Sequence, residues 1–243
     1  MAAAFGTRRR WLTIGALGTA GLLVVPAAFA PALGQTETPR PSAPARKTTA
    51  EGLVPATEDL MREHGVLDRV LLIYEAGIRR LGGGEDIEPV VFKQTSELMR
   101  DFVHEYHEKS EEELIFPRFK KAGRMVELVD ALAAQHAQGR AFTQVILQNS
   151  AAANTTEKRN AMIEAMKGSI ALYRPHTARE DTDLFPTLRS LMTPNEFEDL
   201  SAMMEKNEKD RFGADGFEKV AKRTEALEKK IGIHDLAQAK PKE

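Results

Sequence analysis

Two runs of thirteen residues, His107 to Phe119 and His176 to Leu188, carry a shared pattern. In each, a His precedes a Glu by four positions, as His107 and Glu111 and as His176 and Glu180. An acid, an apolar residue, Phe and Pro then follow at matching offsets. Positions four apart lie on one face of an α-helix, so each copy projects an imidazole and a carboxylate in the same direction. Two such helices facing each other make a metal site.

Each copy also has a lone His upstream, His64 before His107 and His136 before His176, on a separate helix. The chain thus repeats a unit of about 70 residues, helix with His and then helix with His-x3-Glu, which reads as two helical hairpins. Packed together they form a four-helix bundle about a pseudo-twofold axis, with His64, His107, Glu111, His136, His176 and Glu180 as candidate metal ligands. Of the six His, His104 has no counterpart in the other copy and His234, near the C-terminus, falls outside the repeat.

The elements that must position these groups are legible from periodicity. Leu60, His64, Leu67, Leu71, Tyr74, Ile78 and Leu81 recur at spacings of three and four, after a cap expected at Thr57. Gly82, Gly83 and Gly84 end that helix, and Pro89 suits the first turn of a second that runs to about Phe116. A third spans about Met125 to Ala152, with Val129, Leu132, His136, Thr143 and Leu147 inward, and a fourth is capped at Asn154. Pro175 is expected to bend this fourth helix just before His176. The bundle occupies residues 57–190. Residues 191–243 read as a helical extension, with a capping box at Thr193 to Glu196 and a last helix from about Phe217 to Ile231 closed by Gly232.

Composition bounds the rest. The 243 residues, 42% hydrophobic, suffice for one good core and an appendage. Acidic and basic residues number 36 and 34 and alternate along helical faces, which argues against nucleic acid or an anionic membrane surface as partner. With no Cys, the chain has no disulfide, Fe–S cluster or thiolate ligand, so any metal is held by N and O. That donor set suits iron or manganese.

Residues 1–34 read as an export signal: Arg8, Arg9 and Arg10 lead into an apolar stretch followed by small residues. Thr7-Arg8-Arg9-Arg10-Trp11-Leu12 resembles the twin-arginine motif, which implies export of a folded protein. Cleavage is expected near Ala32 or Gly34 and leaves no stable membrane span; an uncleaved, anchoring signal is the alternative. Its removal takes three Arg and no acid, lowering the net charge from −2 to −5. Residues 35–56, with Pro39, Pro41, Pro44 and Pro55, read as a disordered linker.

The His-x3-Glu-acid-x3-Phe-Pro run resembles the hemerythrin-like domains, and within them the His-His-Glu cation-binding branch, over about residues 57–190. The resemblance implies an all-α, up-down four-helix bundle that holds a non-haem di-iron centre and binds a small molecule such as O2 or NO. Residue by residue, it assigns ligand roles to His64, His107, Glu111, His136, His176 and Glu180. Oxygen carriers of the family have a second His four residues after the first on helix three, where this chain has Arg140. An Arg cannot ligate a cation. His104, one turn before His107, and Tyr173, three residues before His176, are candidates for an added ligand or an outer partner. In hemerythrins the last acid lies five residues after its His, which selects Asp181; the repeat symmetry selects Glu180. Glu108, Glu112, Glu113, Asp181 and Asp183 otherwise read as solvated charges, and Arg140 as neutralising an inner acid.

Three functions fit this reading. One is an exported di-iron module that binds or senses O2 or NO; another is a di-iron oxidoreductase with ferroxidase, peroxidase or nitrosative-repair activity. The last is a structural bundle with a mononuclear or zinc site. The residues do not say whether the protein is an enzyme, and they name no protein partner.

Overall fold

The computed structural model describes residues 53–85, 87–150 and 155–238. The segment read as an export signal, most of the expected Pro-rich linker and the expected cap Asn154 lie outside the described residues. Among the described residues every regular element is helical. Four long helices form the bundle: α1 (Ala56–Gly82), α2 (89–122), α3 (Val126–Ser150) and α4 (156–188). Two further helices, α5 (Pro194–Phe212) and α6 (Gly216–Ile231), lie against α1, and α6 also against α2.

The bundle follows from the apolar stripes, with local corrections. In α3 the buried stripe is Val129, Leu132, His136, Gly139, Thr143, Ile146 and Ser150; Ile146 takes the inward place expected of Leu147, which is half-buried. On α1, Ile78 is half-buried, while a second stripe, Glu63, Val66, Val70 and Ile73, is buried as well. That second stripe exists because α1 is covered on two sides, by the bundle and by the extension. Thr57 does not cap α1: it lies inside the first turn, after Pro55. The free N–H of Ala56 donates instead to Ser201 Oγ of α5 at 2.9 Å, so the extension supplies the cap. For α4 the cap is Thr155, whose hydroxyl accepts from the Lys158 N–H at 3.4 Å.

The capping box at the start of α5 forms as read, with Thr193 Oγ1 accepting from the Glu196 N–H and Glu196 Oε2 accepting from the Thr193 N–H. Gly232 closes α6 in the left-handed region, at φ 75°.

Both helices that carry a His-x3-Glu pair widen into a π turn at the Glu, Glu111–Ile115 in α2 and Glu180–Leu184 in α4, and α2 is also π-wound over Met99–His107. The Phe116 N–H bonds to Glu111 C=O, and the Phe185 N–H to Glu180 C=O. The next residue in each copy is Pro117 or Pro186, whose ring has no N–H and would collide with the carbonyl four residues back. An i→i+5 turn relieves that collision and carries the Phe round toward the face of its Glu. Pro175 has a milder effect than expected. Thr156–Arg179 is one continuous α-helix through it, because Pro175 and Ala171, whose carbonyl loses its partner, both face solvent.

Apolar side chains gather in two clusters. One, including Leu67, Tyr74, Phe92, Phe102, Met166 and Tyr173, extends to Leu227 and Ile231 of α6. The other joins Leu60, Ile115, Phe116, Phe119, Leu132 and Phe185 to Phe197 and Leu200 of α5. The polar groups of both sequence repeats lie buried beside these clusters.

Candidate metal centre

The structure brings His64, His107, Glu111, His136, His176 and Glu180 together, each at most 3% exposed. One ligand atom each from His64, His107 and Glu111 falls in one tight group; Glu111, His136, His176 and Glu180 form a second. The carboxylates join the two. Glu111 Oε2 lies 3.8 Å from His107 Nε2 and 3.4 Å from His136 Nε2, and Glu180 Oε2 lies 3.1 Å from His176 Nε2 and 3.3 Å from His64 Nε2. Each Glu therefore reaches an imidazole of its own repeat and one of the other. In this register Glu180, rather than Asp181, stands opposite Glu111.

Every imidazole presents Nε2 inward and is held from behind through Nδ1. His64 Nδ1 lies 2.8 Å from Asp181 Oδ1, and His136 Nδ1 lies 2.9 Å from Glu112 Oε1. His107 Nδ1 lies 2.6 Å from Glu63 Oε2, and His176 Nδ1 lies 2.9 Å from Gln135 Oε1. An acceptor at Nδ1 fixes the Nδ1–H tautomer and leaves the Nε2 lone pair pointing inward, the arrangement that orients metal-binding His. The rings are also held face-on: Phe185 stacks on His64 and Phe116 on His136, each with centroids 5.5 Å apart. The shared motif thus has a physical reading. Its Glu faces the centre, while the acid one residue on and the Phe five residues on grip the upstream His of the other repeat.

This donor set fits a cation. Both oxygens of Glu111 and both of Glu180 are buried without a hydrogen-bond partner, as is Nε2 of His64. Uncompensated burial of a carboxylate costs several kcal/mol, roughly. Without a metal, protons make up part of the charge. Burial pushes His64 down, yet Asp181, Glu180 and Glu111 outweigh it and carry the imidazole up to about 10. For His136, burial is likewise outweighed, by Glu111 and Glu112, and its value is also about 10. Burial pushes Glu180 up, but His176 and His64 hold it well below the usual carboxylate range. His107 differs: burial dominates and lowers it to about 4, and its partner Glu63 is raised by burial to about 8.

The remaining sequence candidates stand one layer out. His104 Nδ1 lies 3.0 Å from Glu108 Oε1 and its Nε2 lies 2.8 Å from Thr143 Oγ1. Tyr173 donates to Glu108 Oε1 at 2.7 Å. Arg140 pairs with Glu108 Oε2 at 3.0 Å and with Glu112 Oε1 at 2.6 Å. His104 is in neither central group, and Tyr173 and Arg140 are engaged by Glu108 and Glu112. Burial raises Glu108, but His104, His136 and Tyr173 bring it down to about 2. Room for the Tyr173 hydroxyl comes from Gly139, where a Cβ would stand 1.8 Å from it.

Sequence reading missed Glu63 and Gln135, placed Glu108 and Glu112 in solvent, and offered Asp181 both as an alternative ligand and as a solvated charge; it holds His64 from behind. A signal was present in the repeat. The residue before each upstream His, Glu63 or Gln135, holds the second His of its own hairpin; the residue after each inner Glu, Glu112 or Asp181, crosses to the other. Glu113 and Asp183 behave as read, pairing with Lys109 and Arg179 at the surface.

Residues 56–188 match the family described as Hemerythrin HHE cation binding domain. Uncharacterized proteins of Mycobacterium tuberculosis and Mycobacterium bovis are 39% identical to this chain over 207 residues, covering 84% of it and 81% of the relative. No solved structure matches.

Proposed function

The chain belongs to the hemerythrin HHE cation-binding family, and from that premise we propose that it holds two non-haem iron ions. In this reading His64 and His107 would hold one ion and His136 and His176 the other, with Glu111 and Glu180 shared between them. Manganese or a mixed pair is the variant of the same reading. The carrying observation is the set of four unpartnered carboxylate oxygens between four inward-facing Nε2 atoms. Two carboxylates and four imidazoles exceed what one ion needs, and the absence of thiolates suits iron or manganese.

Bound iron would supply reversible coordination and electron transfer to a diatomic molecule such as O2 or NO. The chain's own residues supply the rest. Asp181, Glu63, Glu112 and Gln135 hold the rings in position, and Phe116 and Phe185 shield their faces. The reading is completed by the N-terminal segment: residues 1–34 direct export, so the protein acts in the periplasm or another exported location, with no nucleic acid as partner. N-terminal sequencing of the protein recovered from its host tests that part.

A second reading, a di-iron oxidoreductase, is favoured by one observation. The Tyr173 ring lies 5.7 Å from that of His176 and its hydroxyl donates to Glu108, whose other oxygen meets Arg140. Tyr173 thus stands beside the imidazole layer with its hydroxyl held by Glu108, which in turn meets the 37% exposed Arg140, a place from which the phenol could relay an electron or a proton.

Metal analysis of the exported protein, with absorbance spectra of the reduced protein before and after O2, tests both readings. We expect two iron per chain. Saturation with one ion, or with zinc, overturns the di-iron centre. A spectral change that reverses when O2 is removed favours binding, and one that persists favours oxidation.

A further inference from the structure

A second group of acids lies on the far side of Glu63. Asp59 and Glu63 of α1 and Glu208 of α5 each offer an oxygen to one group no wider than 4.8 Å. Asp59 is 5% exposed and Glu63 1%. Glu63 Oε2 is taken by His107 Nδ1, while its Oε1 is buried without a well-formed hydrogen bond, the Tyr106 hydroxyl interacting with this carboxyl off the ideal geometry. Tyr106, 4% exposed, sits in the field of all three carboxylates, and its hydroxyl too lacks a well-formed hydrogen bond. The positive charge nearby is thin: Arg62, partly exposed, bonds Asp59 Oδ1 at 3.2 Å. Glu208 Oε1 accepts from the Phe217 N–H at 2.8 Å.

We propose that Asp59, Glu63 and Glu208, with the Tyr106 hydroxyl facing them, form a second cation site for a hard divalent ion, separate from the four-imidazole centre. Oxygen-only donors select magnesium, calcium or manganese over softer ions. Burial, together with Glu63 and Glu208, raises the Asp59 carboxyl to about 7, as expected of acids crowded without a counter-ion. The cluster is no by-product of the sequence repeat: the positions matching Asp59, Glu63 and Tyr106 in the second half are Ala131, Gln135 and Pro175. It requires the extension, since Glu208 comes from α5. Bound there, an ion would tie α5 to α1.

Manganese binding to the full-length mature protein tests the site. Wild type, the double variant Asp59→Asn/Glu208→Gln and the inner-centre variant Glu111→Ala/Glu180→Ala would be compared by counting bound Mn2+ after equilibrium dialysis. Circular dichroism would verify folding. We expect the double variant to bind one ion fewer than wild type, and the inner-centre variant to retain one oxygen-ligated Mn2+ in its paramagnetic resonance spectrum. Glu208→Gln alone, at a half-buried position, should weaken that ion at least tenfold and remains informative if the double variant does not fold. Equal Mn2+ counts in wild type and folded Asp59→Asn/Glu208→Gln would overturn the site, as would complete loss of Mn2+ from the inner-centre variant while it remains folded. Because the inner and outer variants are scored separately, failure of the di-iron reading leaves this result interpretable.

Discussion

The two halves of the bundle are alike at the centre and unlike one layer out. His64, His107 and Glu111 repeat as His136, His176 and Glu180, and Phe116 repeats as Phe185, with matching contacts. Behind His107 stands Glu63, a carboxylate; behind His176 stands Gln135, an amide. Before His107 and His176 the matching residues are His104 and Tyr173, and Glu108 is matched by Thr177. Covering differs too, because α5 and α6 close over α1 while the outer face of α3 stays in solvent. The central layer must satisfy the same donors twice and so keeps one composition. The outer layer differs at these positions, while Glu112 and Asp181 remain matched acids behind His136 and His64.

The largest effect should come from breaking the shared layer. Glu111→Ala and Glu180→Ala each remove a carboxylate that reaches both halves, so each should release metal from both, with a loss of affinity beyond the roughly 10–100-fold typical of an outer partner. Thermal stability should fall together with metal content, since binding and folding are linked. If Glu180→Ala retained its metal while Asp181→Ala lost it, the register that equates Glu180 with Glu111 would be wrong.

A smaller loss is expected when the unlike partners are removed. Glu63→Ala and Gln135→Ala each free one Nδ1, which should weaken metal binding by about 10–100-fold. Binding isotherms with a competing chelator measure this. The comparison sharpens with Gln135→Glu, which gives both halves a carboxylate behind the second His and should tighten binding. No change on that substitution would mean that orientation alone, and not donor basicity, is what the outer layer provides.

Gly139→Ala probes the second half alone. The added Cβ meets the Tyr173 hydroxyl of a ring that is 1% exposed, so the ring must move away from Glu108. Overpacking of this kind costs about 1–3 kcal/mol, to be read from denaturant unfolding, while metal content should hold. At the matching place the first half has Leu67 and, in place of Tyr173, the smaller His104.

The last expected effect is a pH dependence, seen only on acidification. Glu108 titrates at about 2 in the fold against an ordinary 4.5, so the unfolded chain takes up its proton first on acidification. Its contribution to stability is present in full above pH 4.5 and is lost as pH falls from 4.5 towards about 2. In melting experiments on metal-free protein, Glu108→Gln should therefore be less stable than wild type at neutral pH, and the gap should close on acidification across that window. A constant gap would mean that the charge of Glu108 contributes nothing.

Much of this was legible in the sequence because ligand chemistry and helix geometry share a period. The His-x3-Glu spacing, the repeated Phe-Pro and the two upstream His suffice to bring six side chains together on four helices. Glu63, Glu112 and Gln135 escaped because their partners are on other helices, where the spacing within one helix carries no information. Glu108 escaped because a run of acids such as Glu111, Glu112 and Glu113 normally lies in water, and only the pairing with His104, Tyr173 and Arg140 makes its burial tolerable. The Thr57 cap failed for a related reason: the acceptor that closes α1 comes from Ser201, far along the chain.

The crossing of Glu111 and Glu180 between repeats has a consequence for ancestry. A chain of half this length, carrying one hairpin, would have two imidazoles and a single carboxylate, and would complete its centre only by pairing with an identical copy. Assembly would then depend on concentration, as for any obligate dimer. Joining the two copies in one chain makes that encounter intramolecular. Within one chain the two halves need not be identical, and Gln135, Tyr173 and the acids beneath α5 are places where they differ.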